Sequence, residues 1–95
     1  MNDKCQLIFQ ALSDKTRQKI LEMLKDKELC VMAICKCFDM RQPSISHHLN
    51  ILKRAGLVKC CKKGKEVHYT LNRCTLINCC CVLFNKFDLK PKKSK

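Results

Sequence analysis

Apolar positions recur at helical spacing through most of the chain. Cys5, Ile8, Phe9 and Leu12 fall at i, i+3, i+4 and i+7, which predicts a first helix over residues 3–12. Ser13 and Asp14 are N-cap candidates for a second helix, whose apolar positions are Ile20, Leu21, Met23 and Leu24. Val31, Ile34, Cys35 and Phe38 give an inward stripe to a third, short helix over 29–37. The polar run from Asp39 to Gln42 then has the length of a helix-turn-helix turn. Pro43 suits the opening of a fourth helix, because its missing N–H is not needed in the first turn. Ile45, Leu49 and Leu52 form the apolar stripe of that helix, and Gly56 ends it as a C-terminal cap.

Beyond Gly56 the period changes from helical to alternating. Val58 and Cys60 share one side of a strand, and Val67, Tyr69 and Leu71 share one side of another. A two-residue turn at Lys63-Gly64 would set Cys60 opposite Val67 and Val58 opposite Tyr69, with Cys61 facing Glu66 on the wet side. A last helix is expected over 73–87, with Leu76, Cys80, Leu83 and Phe87 in one stripe. Ile77, Val82 and Phe84 make it more apolar than a lone surface helix requires, so it should pack against a second subunit. The chain therefore reads as mainly α with a small β-hairpin, in the order α-α-α-α-β-β-α. One domain is expected over 1–90, followed by a basic disordered tail over 91–95 that begins at Pro91.

Charge sharpens this picture. Twenty Lys and Arg oppose eight Asp and Glu, for a net charge of +12, and only Glu66 and Asp88 are acidic in the second half. Such a field favours a polyanion, most often nucleic acid. The outward face of the fourth helix carries His47, Asn50 and Arg54, flanked by Ser44 and Ser46, with no carboxylate. A helix that only covers a core would usually mix in Glu or Asp, whereas one lying against phosphates and base edges would not. Ser44, Ser46, His47 and Asn50 are the candidate base-facing set, and Gln42 is a further candidate DNA contact. Lys53, Arg54, Lys62, Lys63 and Lys65 are the candidate phosphate contacts. His48 should be half-buried beside Leu49 and Leu52.

Other classes find little support. No apolar run approaches the ~18 residues of a membrane span, and the first ten residues lack the apolar core of a secretory signal. The setting expected is therefore cytoplasmic and reducing, where ten cysteines are thiols or metal ligands rather than a disulfide framework. There is no nucleophile–base constellation, no phosphate loop and no paired acids on one face, so an enzyme is not expected.

The order helix, helix, helix-turn-helix, wing, helix is that of a winged helix-turn-helix repressor. The sequence resembles the ArsR/SmtB family of metal- and metalloid-responsive bacterial and archaeal repressors, from about Ala11 to Leu71. ALSDKTRQKILEML is similar to the family's entry to its second helix, although Lys15 stands where Pro is common. QPSISHHLNILKRAGLV resembles its reading helix, and KKGKEVHYTL its wing. The resemblance implies a homodimer paired through its first and last helices. It implies binding to an imperfect palindrome in double-stranded promoter DNA, with release when an inducer binds. Arsenic-type members carry ELCVCDLC on the third helix, where this chain has ELCVMAIC at residues 28–35. Cys30 and Cys35 match the outer cysteines, Met32 replaces the middle one, and Cys37 lies two residues further on. The resemblance thus implies Cys30, Cys35 and Cys37 as the inducer site, with As(III) or another soft metal ion as inducer and no obligatory cofactor.

Spacing alone leaves the cysteines open. They stand at 5, 30, 35, 37, 60, 61, 74, 79, 80 and 81, and no two are three or four apart. None therefore pairs across adjacent helical turns. Cys30 and Cys37 would lie ~10 Å apart along a regular helix at 1.5 Å per residue. A chelate needs an unwound turn, or sulfurs from different elements or subunits. Cys79, Cys80 and Cys81, with Cys74, form a second candidate group, to which Cys5 could contribute. Cys5, Cys35, Cys60 and Cys80 lie on apolar stripes and are expected in the core. The other six lie off those stripes and are better ligand candidates. Two rival readings stay open: a metal-free thiol redox or persulfide switch, and a constitutive architectural DNA-binding protein.

Overall fold

The computed structural model of the chain describes residues 3–87. The tail expected over 91–95 lies outside them, as do the side chains of Leu83 and Phe84. Five helices and three strands follow in the order α1 (Asp3–Leu12), α2 (Lys15–Met23), β1 (Leu29–Cys30), α3 (Val31–Phe38), α4 (Gln42–Arg54), β2 (Val58–Lys63), β3 (Glu66–Leu71) and α5 (Arg73–Phe87).

Local chemistry sets most of these boundaries. Asp14 is the N-cap of α2 and accepts a hydrogen bond from the Arg17 backbone N–H at 3.1 Å. Asp39 closes α3 in the left-handed region, at φ 51°, a conformation that Asp tolerates better than most side chains. Pro43 sits in the first turn of α4, and Gly56 follows that helix at φ 79°.

The core lies where α1 to α4 and the base of the hairpin meet. Ile20, Ile34, Ile45, Leu49, Leu52 and Leu57 are its largest fully buried side chains. All three members of the α4 stripe are among them. At about 1.5–3 kcal/mol for each buried aliphatic side chain, this stripe fixes which face of α4 points outward.

Three expectations need correction. Residues 29–30 are not the first turn of the third helix; they form β1. Leu29 pairs with Tyr69 and Cys30 with His68, which makes a three-stranded antiparallel sheet of order β1-β3-β2. Leu29 and Tyr69 both pack against the core, and Cys30 is extended, at φ −86° and ψ 166°.

The hairpin register also differs from the expected one. Val58 pairs with Leu71, Cys60 with Tyr69, Cys61 with His68 and Lys63 with Glu66. The loop is therefore Gly64-Lys65. Gly64, at φ 63°, takes the first central position, where a primed two-residue turn requires positive φ. The shift is two residues, so every side chain keeps its face.

Last, Cys79 is buried in α5 and Cys80 is exposed, the reverse of the expected assignment. The helix is apolar on nearly every side, so its spacing selects no single inward face. Leu76 and Cys79 turn toward the core, while Ile77 and Phe87 are 59% and 57% exposed.

Candidate nucleic-acid interface

The turn at Asp39 sets α4 across the end of α3 and leaves its polar face open. Gln42, Ser44, His47, Asn50, Lys53 and Arg54 are exposed there, and Ser46 is half-buried. Their exposure follows directly from burial of Ile45, Leu49 and Leu52 behind them. The wing adds Lys59, Lys62 and Lys65, all exposed. The expected base-facing residues and phosphate contacts of α4 and the wing are thus open to a ligand, with one exception.

The exception is Lys63. Its ammonium donates to Glu28 Oε2 at 2.5 Å, which ties β2 to the residue just before β1. Each partner favours the other's charge. The Lys63 hydrogen bond holds the Glu28 carboxyl below its usual range, and Glu28 holds the Lys63 ammonium above its own. The same Glu28 oxygen lies 3.2 Å from His68 Nδ1, and His68 Nε2 donates to Glu66 Oε1 at 3.2 Å. Lys63 is therefore part of a polar strap across the sheet.

A second residue has a role that sequence reasoning missed. Arg17 is 8% exposed and is the one buried charged side chain among the described residues. Its Nε donates to Ala11 O at 2.8 Å and one terminal nitrogen donates to Gln10 O at 3.1 Å. The other donates to His48 Nδ1 at 3.2 Å. Since guanidinium only donates, His48 accepts at Nδ1. Two carbonyls at the end of α1 are engaged in this way, the Gln10 one shared with Ser13, and α2 is joined to α4. Asp14 Oδ2 stands 3.9 Å from the same ring nitrogen. The Arg17 backbone N–H holds the Asp14 carboxyl below its usual range. The signal was present in the sequence: Arg17, Ile20, Leu21 and Leu24 stand at i, i+3, i+4 and i+7, so Arg17 occupies an inward position.

The third-helix cysteines are not brought together. Cys30 ends β1 and caps α3, Cys35 packs against the core, and Cys37 is exposed. Among the described residues no three His, Cys, Asp or Glu side chains are placed to hold a metal ion. Cys30, Cys35 and Cys37 as placed do not fit a three-thiolate centre. Cys60 is half-buried beside Tyr69 in the sheet, and Cys61, Cys74 and Cys81 are exposed.

Comparison with known proteins agrees with this geometry. A family model for bacterial regulatory proteins of the arsR family matches residues 14–59. The chain is 43% identical over 84 residues to the transcriptional repressor SdpR of Bacillus subtilis (strain 168), which spans 85% of this chain and 93% of that protein. It is 44% identical over 66 residues to the arsenical resistance operon repressor of Escherichia coli (strain K12), over 68% of this chain but only 56% of that longer protein. In three dimensions it is similar to an ArsR-like transcriptional regulator from Rhodococcus sp. RHA1, with a TM-score of 0.83 and 28% identity over 90% of this chain and 81% of that one. The chain belongs to the arsR family of bacterial regulatory proteins and is a winged-helix, DNA-binding transcriptional repressor, not an enzyme.

Proposed function

We propose that the protein is a homodimeric repressor that reads an imperfect palindrome in promoter DNA and is released from it by a thiophilic ion, arsenite among them. The observation that carries this reading is the exposed, carboxylate-free face of α4 beside the lysine-rich wing. Two copies of α4 would enter successive major grooves about 34–36 Å apart. Ser44, Ser46, His47 and Asn50 would meet base edges, with Gln42 at the helix start. Lys53, Arg54, Lys62 and Lys65 would meet phosphates and supply a steep salt dependence.

The dimer reading rests on α1 and α5. Leu7, Phe9, Ile77, Val82 and Phe87 are exposed there, and burying such side chains between two copies is favourable at about 25 cal/mol per Å². The inducer reading rests on ten thiols and on the likeness to an arsenical resistance repressor. Soft ions select thiolates. The Cys30, Cys35 and Cys37 group would have to rearrange before three sulfurs could meet, so no step of release is routed through it. By linkage, an inducer that weakens DNA binding must itself be weakened equally by DNA.

The test is a fluorescence anisotropy titration of the reduced protein on its own upstream promoter DNA, with arsenite, zinc, cadmium and a persulfide added in turn. Release by a soft ion, with preference for that DNA over unrelated duplex, is the expected result. Equal affinity for any duplex and no release would identify a constitutive architectural protein instead. Release by the persulfide alone would identify a metal-free thiol switch.

A further inference from the structure

Two buried thiols lie outside the nucleic-acid interface, on the two helices of the proposed dimer seam. Cys5 on α1 is 6% exposed and Cys79 on α5 is 7% exposed. Both line one cleft of about 180 Å³, together with Lys4, Ile8, Thr75, Asn78 and Val82. The cleft thus brings one thiol from each helix to the same space.

We propose that Cys5 and Cys79 form a two-thiolate site for a soft monovalent cation, copper(I) being the natural occupant and silver(I) its stable analogue. The donor count selects the ion. Among the described residues no other thiol, imidazole or carboxylate lines the cleft. Tetrahedral zinc needs four ligands, and trivalent arsenic takes three thiolates. Copper(I) is selected by thiolates and is content with two in a line. A linear centre needs its sulfurs about 4–5 Å apart, twice a metal–thiolate bond of about 2.3 Å. Two thiols that face one cleft from adjacent helices are placed to span it.

Charge points the same way. One cation and two thiols give a bis-thiolate complex of net charge −1 and release two protons to solvent. The Lys4 side chain lines the same cleft and places a positive charge beside that complex. The site also abuts the reading helix. A Cβ built on Gly56, just past α4, would stand 3.5 Å from Lys4 Nζ and 3.5 Å from Thr75 Oγ1. Clamping α1 to α5 at this point acts on side chains that touch the end of α4. The binding claim stands alone, and only its effect on DNA rests on the function proposed above.

The experiment is an anaerobic competition titration of the full chain against a chromophoric copper(I) chelator, followed by X-ray absorption at one equivalent. The tightest equivalent per chain should show two sulfur neighbours and no nitrogen. Cys5→Ala and Cys79→Ala should each weaken that equivalent by more than the roughly 10–100-fold that an outer-shell change costs, with helicity retained. Cys5→Ser and Cys79→Ser should do the same, and Cys37→Ser should not. A three-sulfur shell, or a first equivalent unchanged by all four substitutions at these two positions, would overturn the proposal. If the first equivalent binds at this pair while promoter DNA stays bound, the site stands and release by this ion fails. If arsenite releases DNA while copper(I) ignores this pair, the release reading stands and the site fails.

Discussion

The guanidinium of Arg17 donates to His48 Nδ1 at 3.2 Å, so a buried charge on α2 is joined directly to α4. Two more of its nitrogens serve carbonyls at the end of α1. Arg17→Ala should therefore leave the buried Ala11 carbonyl without its donor and cost about 2–3 kcal/mol, read as a lower midpoint in urea. Arg17→Lys should recover little, because an ammonium cannot reproduce the fork. A loss below ~0.5 kcal/mol, the range of an ordinary surface substitution, would mean that this linkage holds nothing.

His47 and His48 are neighbours with opposite surroundings. His47 is exposed on the polar face of α4, and His48 is half-buried against Arg17. His47→Ala should relax operator preference by about 1–3 kcal/mol at the contacted base and leave the thermal midpoint nearly unchanged. His48→Ala should lower the midpoint instead. Operator preference that survives His47→Ala intact would remove His47 from the base-contacting set.

The Glu28–Lys63 pair makes a prediction about the wing. Glu28→Gln should free Lys63 to meet a phosphate. One more charge on the duplex backbone would steepen the salt dependence of DNA binding by about one unit of slope. Lys65→Ala, at the hairpin tip, should do the reverse. An unchanged slope in Glu28→Gln would show that Lys63 cannot reach the duplex.

The same pair carries a pH signature. The Glu28 carboxyl sits below its usual 4.5, so its contribution is in force above that value and is lost as pH falls through the depressed one. The Lys63 ammonium sits above its usual 10.5, so its contribution is in force below that value and is lost as pH rises through the raised one. Both groups are exposed, which keeps the effect small. Protection of the β1 and β2 amides from hydrogen exchange, relative to the unstructured rate at the same pH, should fall below pH 4.5 in the native chain. Glu28→Gln should abolish that acid step, and its persistence would assign it to another carboxylate.

Legibility from sequence followed the strength of the local signal. The α4 stripe was clear because Ile45, Leu49 and Leu52 are all wholly buried, and the polar face followed from it. The hairpin's faces were legible but its register was not, because a slip of two residues leaves alternation unchanged. The left-handed backbone at Gly64 settles it. The strand at Leu29–Cys30 was invisible because two residues carry no period and their partners, Tyr69 and His68, are far along the chain. Arg17 was readable from its inward position, yet its charge concealed it. The Cys79 and Cys80 assignments failed because α5 offers apolar side chains on almost every side. In the candidate site, the exposure of the α4 polar residues was legible apart from half-buried Ser46, while the pairing of Lys63 with Glu28 depended on β1.

The middle place of β3 in the sheet gives the wing a mechanical character. On one side β3 holds β2, which carries the hairpin tip, and on the other it holds Leu29 and Cys30, the residues from which α3 departs. The hairpin is thus a cantilever whose root is also the root of the helix-turn-helix. If α4 and the wing both grip a duplex as proposed, the two grips share a single fulcrum, and a rotation there would change the reach of both together.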